Sequence, residues 1–217
     1  MTLQLVAADI RKEYQGNKIL RGCSFSFSEP GIYVLTGENG CGKSTLLRIC
    51  ALLETPDQGQ VNYVAGNAVV PHELGLKRRI TLVLPRVGVF NASVLNNVAY
   101  GLRIRGIRGT EAGQRADNSL EYVGLKQKRG QNALTLSSGE TQRLGIARAL
   151  AIQPEFLFLD EPSASVDRQN TLIIEDIIRN TKRDQLATVV ITTHDQDQAK
   201  RLADSLMVMR DGKISLA

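Results

Sequence analysis

Cysteine is scarce in this chain: Cys23, Cys41 and Cys50 are the only three in 217 residues, an odd number too small for a disulfide framework, and none has zinc-ligand pair spacing. A reducing compartment is therefore expected. Long apolar runs are missing as well. No stretch approaches the ~18–20 apolar residues of a spanning helix, and the opening MTLQLVAADIRKEY meets charge early, without the apolar centre of a secretory leader. These absences speak against a membrane span and a leader but leave docking on a membrane protein open. Internal repeats and low-complexity tails are also lacking. What remains, 42% hydrophobic and 23% charged residues, is the composition of one globular domain, here with room for an inserted subdomain. The formal charge of +5 is a modest excess of Lys and Arg. It reads as a solubilising surface rather than as the footprint of a nucleic acid.

Residues 3–10 and 23–28 alternate as strands do, with Gln15-Gly16-Asn17 as a turn between them, so the chain is expected to open on an antiparallel segment. Ile32 to Leu35 then reads as a short buried strand, 37–42 as a glycine-containing loop, and Ser44 to Leu53 as a helix. Three further apolar runs, Ile80 to Leu84, Phe156 to Leu159 and Thr188 to Thr192, have the same buried-strand look. Helical periodicity over Gln142 to Ile152 and Leu172 to Asn180 separates them, and that alternation predicts an α/β core with a mainly parallel sheet. The span from about 87 to 151 offers no convincing central strand and is read as a mostly helical insertion. The expected division is a core of 1–86 and 152–217 with a helical subdomain of 87–151.

The strongest chemical signal is GENGCGKST, residues 37–45. Strand, glycine loop and helix in that order turn successive backbone N–H groups and a helix N-terminus toward one concavity, which suits phosphate oxygens. Asn39, Gly40 and Gly42 belong to the loop. Lys43 would reach the terminal phosphates as a mobile charge, Ser44 would ligate Mg²⁺ and Thr45 would support the α-phosphate. A tight turn capping a helix would explain the glycines but not the Lys-Ser pair.

FLFLDEPSASVD, residues 156–167, ends an apolar strand in Asp160 and Glu161. Two adjacent carboxylates at a buried strand end repel and desolvate unless a cation or water chemistry occupies the site. Asp160 would hold Mg²⁺ through water, and Glu161 would polarise the attacking water as a general base. In LSSGETQRLGIARAL, residues 136–150, Ser137, Ser138 and Gly139 precede a helix, forming a second N-terminus able to meet anions; by itself it would be a plain cap. His194 follows the apolar VVITT, where contact with a γ-phosphate is compatible with its position in the same sheet.

Taken in order, GENGCGKST, LSSGE, FLFLDEP, SASVD and ITTHD resemble the ATP-binding cassette family, specifically a stand-alone transporter ATPase subunit, and the resemblance spans essentially the whole chain. It implies a P-loop nucleoside triphosphatase core that uses ATP and Mg²⁺. It implies a head-to-tail homodimer in which Ser137, Gly139, Glu140 and Asp167 of one subunit act on the ATP of the other. His194 would position the γ-phosphate and water, and Tyr14 would stack on adenine. The resemblance further implies separate membrane permease subunits docked on the helical insertion and the cleft beside 85–90, an extracytoplasmic solute-binding protein acting indirectly, and a cytoplasmic location on the inner face of the cell membrane. CALLETPDQGQV and FNASVLNNVAYGLRIRG look most like importers of small oxyanions such as tungstate, molybdate or phosphate. The alternative is a soluble family member acting on nucleic acid or ribosomes, which usually carries two cassettes or a long coiled-coil insertion. Termination at Ala217 leads us to expect no appended regulatory domain.

One departure stands out. At the end of the strand before the docking loop the family places a Mg²⁺-ligating glutamine, and here the position falls on Pro85, with no Gln between Ile80 and Tyr100. Water could replace the ligand, Asn91 or another group could reach in, or coupling could differ in this subfamily. Water replacement is the expectation, because Mg²⁺ readily retains several waters.

Overall fold

The computed structural model describes residues 2–164 and 166–216. The chain opens on a long hairpin, β1 (Leu3–Tyr14) and β2 (Asn17–Phe27), followed by β3 (Ile32–Thr36) and helix α1 (Lys43–Cys50). A second hairpin, β4 (Gln58–Ala65) and β5 (Ala68–Val70), precedes the short α2 (Leu74–Lys77) and β6 (Ile80–Val83). Three helices come next, α3 (Val94–Ile104), α4 (Gly109–Tyr122) and α5 (Ser138–Ala151). The chain closes with β7 (Phe156–Asp160), α6 (Arg168–Arg183), β8 (Thr188–Thr193), α7 (Gln196–Leu202), β9 (Ser205–Arg210) and β10 (Lys213–Leu216).

These strands form two sheets. The four-stranded sheet runs β2-β1-β4-β5 and is antiparallel, and the six-stranded sheet runs β10-β9-β3-β8-β7-β6. In the larger sheet every pair from β9 to β6 is parallel, and only β10 is antiparallel. The mixed, mainly parallel sheet and the antiparallel unit match the expected class.

Alternation along the parallel strands explains why they read as unbroken apolar runs. Leu157 and Leu159 of β7 enter one core with Val189 and Ile191 of β8, while Phe156, Phe158 and Val190 enter the other. Both faces of the sheet are thus buried. The first core is completed by α3 to α6, the second by α1 and the four-stranded sheet. In the second, Tyr63 meets Phe156 edge-on (centroids 5.3 Å apart), and its hydroxyl donates to Cys50 O (2.6 Å), satisfying a carbonyl at the end of α1.

Several elements differ from the sequence expectation. The β4–β5 hairpin was not foreseen, because Gln58, Gln60 and Asn62 leave only Val61 and Tyr63 to mark the buried face. Helix α1 stops at Cys50 rather than Leu53, since Leu52 adopts φ 57°, which a helix cannot continue. Helix α5 starts at Ser138, within the N-terminus expected at Ser137 to Gly139 and ahead of the periodicity from Gln142, with Ser137 and Glu140 forming a reciprocal capping box. Helix α6 starts at Arg168 rather than Leu172, capped by Asp167.

Candidate functional site

The carboxyl ends of β3, β8, β7 and β6 lie side by side in the sheet, where open α/β folds gather ligands. They carry the phosphate loop, His194, the Asp160-Glu161 pair and Pro85.

At the end of β3 the loop turns into α1 through Gly42 at φ 112°, a conformation that disfavours side chains; a Cβ there would also lie 2.9 Å from Leu20 Cδ2. Among the described residues, the amides of Gly42, Lys43, Ser44 and Thr45 have no backbone acceptor. Four donors at a helix N-terminus therefore converge where an anion would sit. Lys43 is 4% exposed, and its Nζ donates to Gly37 O (2.8 Å) and Glu38 O (3.0 Å). Ser44 Oγ donates to Asp160 Oδ1 (3.0 Å), so a hydroxyl and a buried carboxylate meet as hard oxygen donors of the kind Mg²⁺ takes. Thr45 Oγ1 accepts from Arg48 Nη2 (3.2 Å). Asn39 and Gly40 line a cavity of about 880 Å³ that also reaches Lys18 and His194, beside rather than on the Ser44–Asp160 contact.

The two adjacent carboxylates turn apart. Asp160 Oδ1 also accepts from Thr192 Oγ1 (2.7 Å), and the same Thr192 hydroxyl accepts from the Glu161 amide (3.0 Å). Glu161 adopts φ 45°, an unfavourable region for a side-chain-bearing residue and a form of stored backbone strain that clusters at functional sites. Its carboxylate lies between two cations or potential cations: Oε1 is 3.6 Å from Lys43 Nζ, and Oε2 is 3.2 Å from His194 Nδ1. His194 is half exposed, so it can face both Glu161 and solvent. Thr192 was not singled out from sequence. The only available signal was a hydroxyl at the end of an apolar strand, and its role depends on β7 and β8 being neighbours.

The remaining residues singled out from the sequence lie away from these strand ends. Ser137 Oγ accepts from the Glu140 amide (3.3 Å), Glu140 Oε2 accepts from the Ser137 amide (3.0 Å), and Lys128 Nζ pairs with Glu140 Oε1 (2.6 Å). That ammonium, offset partly by burial and helped by Ser137, holds the Glu140 carboxyl below the usual range. Gly139 packs so tightly on α6 that a Cβ would come within 2.3 Å of Asn170 Cγ. Asn170 is held in turn by Asp167, through its amide and its Nδ2 (both 2.8 Å). The structure therefore joins Asp167 to Gly139 within the chain. Tyr14 stands at the end of β1 with 38% of its surface exposed, its hydroxyl donating to Glu54.

At the last strand, Val83 is level with Leu159, and Pro85 lies two residues beyond the end of β6. Asn91 Oδ1 accepts from Asn132 Nδ2 (2.7 Å), so that amide is already engaged. The loop is gripped from beneath by the buried Asn97, whose side chain bonds the Phe90 amide and the carbonyls of Phe90, Ala92 and Ser93. From above, Arg148 bonds Gly88 O (2.6 Å) and lies over the Phe90 ring. A cleft of about 290 Å³ opens beside it, lined by Leu84, Arg86, Tyr100 and Arg148 among others.

Fold and loop together define a P-loop nucleoside triphosphatase. Comparison with known proteins sharpens the class. A family model described as ABC transporter matches residues 20–164. The tungstate uptake system ATP-binding protein TupC of Peptoclostridium acidaminophilum is 36% identical over 215 residues, 99% of this chain and 98% of that one. The phosphate import ATP-binding protein PstB 1 of Vibrio cholerae is 38% identical over 213 residues, 93% of this chain and 77% of that one. Among solved structures, CbiO1 of Clostridium perfringens, described as part of the ABC transporter complex CbiONQ, superposes with a TM-score of 0.86 at 27% identity, covering 98% of this chain and 86% of its own. The chain belongs to the ABC transporter family, as an ATP-binding and ATP-hydrolysing subunit. These relatives do not favour the alternative role on nucleic acid or ribosomes. Among the described residues no helix is long and apolar enough to cross a membrane.

Proposed function

We propose that the chain powers import of a small oxyanion through separate membrane-spanning permeases, working as a head-to-tail homodimer held peripherally on the inner face of the cell membrane. An extracytoplasmic solute-binding protein would deliver the oxyanion to the permeases. The observation that carries this reading is its end-to-end similarity to a tungstate uptake ATP-binding protein, supported by the phosphate import relative. In this reading residues 87–151 form the unit that receives the permease, and the cleft beside Leu84, Arg86 and Tyr100 is its seat.

The residues at the strand ends fit ATP and Mg²⁺ by their donor chemistry. The free amides of Gly42 to Thr45, with Asn39, Gly40 and Lys43, bind the triphosphate. Bound Mg²⁺ would neutralise charge on that triphosphate, with Ser44 and Asp160 as the residues that hold it. Pro85 offers no side-chain ligand, so water would take the place of one there. Glu161 accepts the proton of the attacking water, and His194, in contact with its Oε2, orients that carboxylate. Across the dimer, Ser137, Gly139, Glu140 and Asp167 meet the nucleotide of the other subunit, while Tyr14 meets the base.

The test is to purify the complex from membranes, identify the membrane-spanning partner and measure ATP turnover of the reconstituted complex with tungstate, molybdate and phosphate. A multispanning partner and stimulation by one of these oxyanions are expected. Co-purification with ribosomes or RNA instead would sink the proposal. In the same complex, Glu161→Gln should lower turnover by about 10² or more while ATP binding persists.

A further inference from the structure

Outside the strand ends, one cluster of charged side chains connects the exposed face of Tyr14 to the helix of the phosphate loop. The Tyr14 hydroxyl donates to Glu54 Oε1. The other oxygen, Glu54 Oε2, accepts from Arg48 Nε (3.2 Å), and Arg48 Nη2 donates to Thr45 Oγ1 (3.2 Å). Lys12 completes the cluster. Its Nζ lies 5.5 Å from the Tyr14 ring centroid and 3.6 Å from Glu54 Oε1, and it also bonds Asp57 Oδ1 (2.9 Å) and Thr55 O (3.0 Å). Asp57 Oδ2 in turn accepts from the Glu13 amide (2.7 Å), fixing the strand next to Tyr14. Tyr14 is thus held at several points: its hydroxyl by Glu54, one ring face by Lys12, and the preceding residue's amide by Asp57.

We propose that Glu54 is a positioning residue for the nucleotide, holding the Tyr14 ring at a fixed place relative to α1 so that base and triphosphate are gripped at a set separation. This rests on Tyr14 being the surface that meets the base. An exposed tyrosine on a strand end would otherwise sample several χ1 and χ2 states, and restricting them before the ligand arrives spares that entropy on binding. Glu54 suits the task because its two oxygens face two different elements, β1 through Tyr14 and α1 through Arg48. Burial pushes its carboxyl up, but the bonds from Tyr14 and Arg48 outweigh that and hold it below the usual range, so it stays ionised at neutral pH. Glu54 sits in a turn after α1, 40 residues from Tyr14 in sequence, and nothing in its local pattern marks it.

The experiment compares dissociation constants of ATP and of inorganic tripolyphosphate, by calorimetry on the full chain, for the unmodified protein, Glu54→Ala, Glu54→Gln, Tyr14→Phe and Tyr14→Ala. Tripolyphosphate carries the phosphate contacts without a base. Glu54→Ala should weaken ATP roughly ten-fold and leave tripolyphosphate within about two-fold, the size expected for losing a hydrogen bond to a charged group. Glu54→Gln, which retains an acceptor for the phenol, should recover most of the loss, and Tyr14→Phe should weaken ATP by roughly three-fold. Should Glu54→Ala fold poorly, Glu54→Gln and Tyr14→Phe carry the comparison. Equal weakening of ATP and tripolyphosphate would mean that Glu54 acts on the phosphate loop alone, which overturns the proposal. A loss of ATP affinity in Tyr14→Ala without one in Glu54→Ala overturns it too, while sparing the role of Tyr14. If Tyr14→Ala binds ATP normally, the reading of Tyr14 itself fails.

Discussion

Glu175 is the side chain whose removal should cost the fold most for its size. It lies inside α6, fully buried, and accepts from Arg201 Nη2 (2.7 Å) and Nε (3.1 Å), Arg179 Nη2 (3.2 Å) and Gln198 Nε2 (3.3 Å). Burial alone pushes its carboxyl up, yet Arg201 and Gln198 outweigh it and hold the group below the usual glutamate range. Breaking a buried charge pair costs about 3–5 kcal/mol. Here Arg201 and Arg179 are 44% and 40% exposed, so both can return to water, which lowers the figure for Glu175→Ala to about 2–3 kcal/mol. In a chain of this size that corresponds to a Tm lower by roughly 5–10 °C at neutral pH. Because the folded carboxyl titrates below its unfolded value, its contribution is complete above that unfolded value, about pH 4.3, and is lost as pH falls through the folded value. The gap in Tm between the unmodified chain and Glu175→Gln, followed by circular dichroism, should therefore narrow on acidification to about pH 3. A drop below about 1 °C for Glu175→Ala at neutral pH, or a Glu175→Gln gap that stays constant with pH, would refute this account. The cluster also reaches the catalytic segment, since Gln198 Nε2 donates to Ser163 Oγ (2.8 Å), two residues beyond Glu161.

Two further outcomes follow from the close packing and from Pro85. Gly139→Ala places a methyl 2.3 Å from Asn170 Cγ and 2.7 Å from its Cβ, which no rotation of the amide relieves. The N-terminus of α6 must move, and denaturant titration should show a loss of about 1–3 kcal/mol, with ATP turnover falling further as Asp167 shifts. Pro85→Gln places a candidate oxygen ligand just beyond the carboxyl end of β6. Titrating Mg²⁺ against turnover should show a changed half-saturation while ATP affinity stays within about two-fold; an affinity change larger than the metal effect would count against water as the replacement ligand.

Where a site residue could be read from the chain, its neighbours in sequence did the work. GENGCGKST contains its own strand exit, glycine at a positive φ and helix start, and so fixes four free amides and Lys43 without help from distant residues. The buried strands were legible because a sheet covered on both faces needs apolar residues at every position, as in Phe156 to Leu159. The β4–β5 hairpin was not, because its outer face is polar and it is defined by pairing with β1. The start of α6 escaped because Asp167 caps it one turn ahead of the apolar periodicity, whereas Ser137 marked the start of α5.

By itself, then, the sequence determined the class of fold, the phosphate loop and the acidic strand end, since each is written in a few adjacent residues under local steric and solvation rules. Only the tertiary structure decided how the pieces act on one another. It turned Glu161 away from Asp160 and toward Lys43 and His194, put the Thr192 hydroxyl between the two acids, and joined Tyr14 through Glu54 and Arg48 to Thr45. Strand order and helix packing bring these side chains within hydrogen-bond range across tens of residues. That proximity depends on which elements pack against one another in the two cores, which no local pattern encodes.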